Sequence, residues 1–149
     1  MVLVLARKTI SLTNLARYNI FLLLKVREKE YKISVLRLYL AQINPIVGDL
    51  KGNHNIIASH IKEAEKRDVD IIVFPELCIT GYPPEDLLLK TAFIDENISY
   101  LNKLKRLTTN IIVVIGFVNK EHGGIYNSAA VIYNNQIKSV YNKQFLPNY

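Results

Sequence analysis

Three short, almost uninterrupted aliphatic runs, Val35 to Ile43, Ile71 to Phe74 and Ile111 to Phe117, are separated by segments whose apolar side chains recur at helical spacing. This alternation limits the fold more than any other feature of the chain. A strand that is apolar at successive positions belongs in a sheet buried on both faces, and helices between such strands make the crossovers of βαβ units. Val35 to Ile43 should therefore be a strand covered on both sides, ending at Asn44-Pro45. Asn53 can cap a helix running to about Arg67, with Ile56, Ile57, Ile61 and Ala64 on its apolar side. Asp70 then leads into the second strand, and the crossover is expected to be right-handed.

Ile94, Ile98, Leu101 and Leu104 repeat at helical spacing and predict a second helix over about Ala92 to Leu107. Asn110 punctuates its end, ahead of the Ile111 to Phe117 strand. Gly123-Gly124 marks a turn into a strand over Tyr126 to Tyr133. Asn134-Asn135 is a two-residue hairpin turn into Gln136 to Tyr141, because asparagine tolerates the positive φ that such turns need. The expected fold class is α/β, a mixed sheet ending in an antiparallel pair.

Charge sharpens the functional choices. The net charge of +6 suggests nucleic acid until it is divided along the chain: residues 1 to 35 hold seven basic and two acidic side chains, leaving twelve and eleven for the rest. The region expected to fold is close to neutral, which argues against nucleic-acid binding. The whole chain's hydrophobic fraction of 50% and charged fraction of 21% suit a globular protein rather than a disordered one. Cys78 is the only cysteine, so no intrachain disulfide can form, in keeping with a reducing compartment and a cytoplasmic location. His54, His60 and His122 lack the spacing of a metal-ligand set, and no metal is expected.

Residues 1 to 34 form a basic extension expected to lie outside the fold. Its apolar stretches, Val2 to Ala6 and Ile20 to Leu24, are interrupted by Arg7, Lys8, Arg17 and Lys25 before reaching membrane length. No association with a membrane is expected. No acid precedes Glu28, a composition shared with mitochondrial transit peptides, but no cleavage signature accompanies it. A peripheral helix, or an extension translated from an upstream start and irrelevant to the fold, is the simpler expectation.

The chemistry concentrates after the second strand. Phe74-Pro75-Glu76-Leu77 ends a buried strand on a carboxylate, and Gly81 and Pro83-Pro84 shape the loop that follows. A carboxylate at that position should have its pKa raised by desolvation, as a general base near neutral pH requires. Lys143 follows the last strand, which a mixed sheet can bring beside Glu76, where an ammonium could stabilise an oxyanion. Cys78 is better read as a small buried hydrophobe than as a nucleophile.

Several motifs taken in order carry a resemblance. They are Leu40-Ala41-Gln42-Ile43-Asn44-Pro45 through Gly48-Asp49, the Phe-Pro-Glu-Leu run, and Thr80-Gly81-Tyr82-Pro83-Pro84-Glu85-Asp86-Leu87-Leu88-Leu89. Tyr126-Asn127-Ser128-Ala129 and Lys143-Gln144-Phe145-Leu146-Pro147-Asn148-Tyr149 complete them. Together they resemble the amidase domain of the glutamine-dependent NAD synthetases, a branch of the nitrilase (carbon-nitrogen hydrolase) superfamily, from about Val35 to Tyr149.

The resemblance implies the first half of a nitrilase-like α-β-β-α sandwich, a mixed sheet with helices on one face, with residues 35–149 as a truncated amidase domain. It implies Glu76 as general base, Lys143 as the cation at the tetrahedral intermediate, and Tyr82 and Tyr149 as substrate contacts, with Gly81 beside the entrance. Phe145 stands where many relatives have His, a change read as tolerated packing. The matching nucleophilic cysteine would follow a strand beyond Tyr149. ATP and deamido-NAD would belong to a synthetase domain, so no cofactor is expected in this chain. The substrate of the intact enzyme would be glutamine or a related amide, and the chain alone is expected to be inactive. A non-catalytic remnant or interaction module is the alternative, as is half of a split enzyme completed by a second polypeptide. An uncovered apolar face would favour such a partner, self-association or aggregation.

Overall fold

The computed structural model describes residues 2–6, 35–108 and 110–145. Its strands are β1 (Val2–Ala6), β2 (Val35–Leu40), β3 (Ile71–Val73), β4 (Ile112–Glu121), β5 (Gly124–Tyr133) and β6 (Gln136–Asn142). Helix α1 (Leu50–Lys66) joins β2 to β3, and a 3-10 turn (Glu85–Leu89) precedes α2 (Thr91–Lys105), which leads to β4. All six strands form one sheet in sequence order. The central trio β2, β3 and β4 is parallel, and the outer pairs are antiparallel.

The parallel trio follows from the two helical crossovers read in the sequence. Both helices cover one face, since Ile57, Ile61 and Ala64 of α1 and Leu101 and Leu104 of α2 share one core with Ile72, Val113, Ile115, Ala130 and Ile132. Each isoleucine, leucine or valine among them contributes about 1.5–3 kcal/mol when fully buried. The Asn134-Asn135 turn has φ of 50° and 57°, the left-handed pair expected of a tight hairpin. His122 and Gly123 make the other hairpin turn with φ of 49° and 79°, so β5 starts at Gly124.

Three expectations need correction. Val2–Ala6, assigned from sequence to an extension outside the fold, adds an edge strand antiparallel to β2. The sequence hides this pairing because the paired positions lie 29 to 37 residues apart; the remainder of the 1–34 segment lies outside the described residues.

The helix cap is Asp49, whose carboxylate accepts from the Gly52 N–H at 2.8 Å. Asn53 instead sits buried in the first turn of α1. It accepts from the Ile46 N–H at 2.8 Å and donates to the carbonyls of Ile46 at 2.7 Å and Ile79 at 3.0 Å. One amide thus ties the loop after β2 to the loop after β3.

The third correction concerns the second face of the sheet. Paired residues share a face, and alternation puts Leu38, Ile71, Val73, Ile112, Val114 and Val131 together on the side away from the helices. All six are only half-buried, and Leu40 beside them is 40% exposed. The continuous apolar runs reflect this second aliphatic face, which nothing among the described residues fully covers.

Candidate active site

Glu76 reaches its place through a close approach of two backbones. The chain leaving β3 crosses over β4 at Gly116, on the half-exposed face. A Cβ at Gly116 would lie 2.6 Å from the Leu77 nitrogen and 2.8 Å from the Glu76 Cα, with the Pro75 carbonyl closer still. Only glycine leaves room for that crossing. Leu77 then takes φ of 48°, a left-handed conformation uncommon outside glycine, and turns the chain sharply away from β3.

That turn sends the two candidate groups of this segment in different directions. Glu76 is exposed, while Cys78 is fully buried and its thiol donates to the Gly116 carbonyl at 3.3 Å. Burial pushes the Cys78 thiol up to about 12, an effect that the Gly116 hydrogen bond only partly offsets. The thiol is therefore neither ionised nor presented to a substrate, which agrees with its reading as a small hydrophobe.

Lys143 arrives from the opposite end of the chain, directly after β6. Its backbone N–H donates to the Asn127 carbonyl at 2.8 Å, extending the β5–β6 ladder by one residue. Its Nζ lies 2.8 Å from Glu76 Oε1. Sixty-seven positions separate the pair in sequence, and the sheet order brings them together. The Asn127 side-chain amide donates to the same oxygen.

These contacts reverse the expected pKa shift. The hydrogen bond from Lys143 holds the Glu76 carboxyl below its ordinary value, desolvation opposes it, and Asn127 and the Lys143 charge add to the lowering. With the Glu76 side chain 45% exposed, water supplies most of the solvation, so burial cannot dominate. The group is held as a carboxylate, the form that can accept a proton.

Nearby loops are fixed by tight packing. Gly81 has φ of 77° and packs against the Val47 backbone, where a Cβ would lie 2.6 Å from the Val47 Cα. The Gly48 N–H donates to the Thr80 carbonyl at 2.9 Å. Tyr82 follows at 50% exposure on the surface of this loop. Tyr149 lies outside the described residues, so its predicted contact has no structural counterpart here. Phe145, expected to be tolerated packing, is 85% exposed instead.

Of the histidines, His60 faces the Tyr39 hydroxyl at 2.7 Å and His54 lies against the Tyr100 ring. His122 is in an exposed turn. Among the described residues no three His, Cys, Asp or Glu side chains form a metal-binding group. No helix among them is long and apolar enough to cross a membrane.

Sequence reasoning missed Asn127 as a contact of the pair and Asn53 as the link between loops. For Asn127 a signal existed, since an amide in the middle of a β-forming run is a costly choice without a partner.

The carbon-nitrogen hydrolase family model matches residues 37–148, a span containing Glu76, Asn127 and Lys143. The chain belongs to the carbon-nitrogen hydrolase family. Within that family, it is 45% identical over 116 residues to the glutamine-dependent NAD(+) synthetase of Thermotoga maritima, covering 76% of this chain and 20% of that protein. It is 40% identical over 122 residues to the enzyme of the same name from Acinetobacter baylyi, covering 81% of this chain and 21% of the other. The chain thus spans about a fifth of the length of these relatives.

A crystal structure of a glutamine-dependent NAD(+) synthetase from Cytophaga hutchinsonii superposes with a TM-score of 0.73 at 34% identity, over 76% of this chain and 20% of that one. An amidase from Nesterenkonia sp. shares the fold with a TM-score of 0.63 at 22% identity, over 76% of this chain and 44% of that one. The mixed sheet with two helices is therefore nitrilase-like, as the motifs implied.

Proposed function

We propose that this carbon-nitrogen hydrolase chain contributes the base and the oxyanion-stabilising cation of a glutamine amidase that supplies ammonia for NAD synthesis. The observation that carries this reading is the 2.8 Å pair of Lys143 and Glu76, joined from two distant motifs at one end of the sheet. Its similarity to glutamine-dependent NAD(+) synthetases supports the choice of glutamine.

In this mechanism Glu76 accepts the proton of a thiol supplied by residues other than those described. The thiolate adds to the amide carbonyl of glutamine, Lys143 donates to the resulting oxyanion, and Glu76 passes the thiol proton to the amide nitrogen as the C–N bond breaks, releasing ammonia and leaving a thioester. Glu76, again a carboxylate, then takes a proton from water as water attacks the thioester, and returns it to the sulfur as the C–S bond breaks and glutamate leaves. ATP and deamido-NAD would be handled by a synthetase domain outside this chain. The low pKa of Glu76 keeps it ionised, but offers less driving force than a base tuned near neutrality.

Cys78 cannot replace the missing thiol, because it is buried and protonated. The chain alone is therefore expected to release no ammonia from glutamine. Residual acceleration by base and cation without a nucleophile is small.

A second reading rests on the half-exposed aliphatic face around Val73 and Val114. A further polypeptide, or a further segment of the same protein, packing on that face would cover the apolar surface and could bring the thiol. Without it, the face invites self-association.

One coupled ammonia assay tests both readings. The purified chain should give no signal, and co-expression with a polypeptide carrying the rest of a synthetase amidase domain should restore glutamine-dependent ammonia that Glu76→Gln abolishes. Ammonia from the chain alone, lost in Glu76→Gln, would overturn the need for an outside thiol. Restored activity indifferent to Glu76→Gln would overturn the assignment of the base.

A further inference from the structure

We propose that Asn127 is a positioning residue for the Glu76 carboxylate, holding one oxygen together with Lys143 so that the other is left to take the proton. This rests on the reading of Glu76 as the base, and adds to it which groups aim that base. Asn127 Nδ2 and Lys143 Nζ both donate to Oε1. Among the described residues, Oε2 accepts no hydrogen bond. A carboxylate whose two oxygens are treated so differently has its plane fixed and its free lone pairs directed, as a general base requires.

Asn127 fits this role through both its side chain and its backbone. Its amide holds Glu76, while its carbonyl accepts the Lys143 N–H at 2.8 Å, so one residue of β5 fixes the position of both partners. Its neighbour Ser128 adds support from the other face of the sheet: the Ser128 hydroxyl donates to Asn142 Oδ1 at 2.6 Å, pinning the residue just before Lys143. The Asn142 amide in turn reaches Glu121 at 3.3 Å. The end of β6 is thus fastened on both faces, and Lys143 has little freedom to drift from the carboxylate.

A neutral amide suits this position better than a second cation or an acid. Another ammonium would lower the carboxyl further and weaken it as a base, whereas a carboxylate would repel Glu76. The amide orients the oxygen without adding net charge.

The test is a carboxyl NMR titration of the full chain with 13C-labelled glutamate, in which the Glu76 resonance is identified by its disappearance in Glu76→Gln. Asn127→Ala should move the Glu76 midpoint upward, and Asn127→Asp should move it further because a carboxylate then faces a carboxylate. Asn127→Thr keeps a β-forming side chain at this strand position, and is expected to match Asn127→Ala if the alanine variant proves poorly folded. Lys143→Met is the reference, since it removes the hydrogen bond that does most to lower the carboxyl. If Lys143→Met raises the midpoint but every folded Asn127 variant leaves it in place, Asn127 has no positioning role and the Glu76–Lys143 pair stands. If Lys143→Met also leaves it in place, the pair itself fails, and the proposed base with it. A merely structural asparagine would alter stability without moving this midpoint.

Discussion

Gly116→Ala should both destabilise the chain and disconnect Glu76 from Lys143. The added Cβ would sit 2.6 Å from the Leu77 nitrogen and 2.8 Å from the Glu76 Cα, against a comfortable separation of about 3.5 Å. Relief requires the 75–77 backbone to move by roughly 1 Å, because the obstructing atoms are main chain and cannot swing aside. Overpacking of this kind costs about 2–3 kcal/mol, and the reduced freedom of the unfolded alanine chain returns about 0.5–1 kcal/mol. The net loss is about 2 kcal/mol, a fall in Tm of roughly 8 °C for a domain of this size.

The same displacement would lengthen the 2.8 Å contact of Lys143 with Glu76 past the limit of a hydrogen bond. The Glu76 carboxyl should then titrate higher, since the Lys143 hydrogen bond is the leading cause of its lowering. Urea unfolding with an unchanged m-value measures the first effect and the carboxyl NMR titration the second. Gly123→Ala is the control: a Cβ there has nothing within 4 Å, so only the backbone strain at φ of 79° is added, about 1 kcal/mol. Stability of Gly116→Ala within about 0.5 kcal/mol of the parent, with Glu76 titrating unchanged, would refute the close-approach argument.

Asn53→Ala should cost about 1–3 kcal/mol in urea unfolding, because it leaves the buried Ile79 carbonyl and the part-buried Ile46 N–H without this partner, while the Ile46 carbonyl keeps the Asp49 N–H; a loss below about 0.5 kcal/mol would mean that the two loops hold each other without it. Cys78 should resist a thiol-reactive reagent at pH 8 until the chain is unfolded in urea, since a thiol titrating at about 12 is ionised to roughly one part in ten thousand there; rapid labelling of the folded chain would contradict its burial.

Much of this arrangement was legible beforehand because it is local. The helical spacing of Ile57, Ile61 and Ala64 faces one side whatever the helix packs against, and Asn134-Asn135 carries its turn in its own backbone preference. The Phe-Pro-Glu run marked the carboxylate for similar reasons. What escaped the reading depended on a distant neighbour. The Asn53 side chain looked like a cap, yet its amide is consumed by Ile46 and by Ile79, 26 positions away. The Glu76 shift looked upward because a strand end suggests burial, yet a lysine 67 positions on and an asparagine 51 positions on outweigh desolvation.

The sequence by itself determined the crossovers, the hairpin turns, the family, and which carboxylate and lysine to look for, since each is written in contiguous residues or short spacings. Only the tertiary structure decided which groups meet. It set Glu76 and Cys78 apart, although a single residue separates them, because that residue, Leu77, turns the backbone. It joined Glu76 to Lys143 because β4, β5 and β6 pair in order and bring the end of the last strand back beside the crossing at Gly116. Strand order and close backbone approach are long-range properties of packing, and no local preference of the chain encodes them.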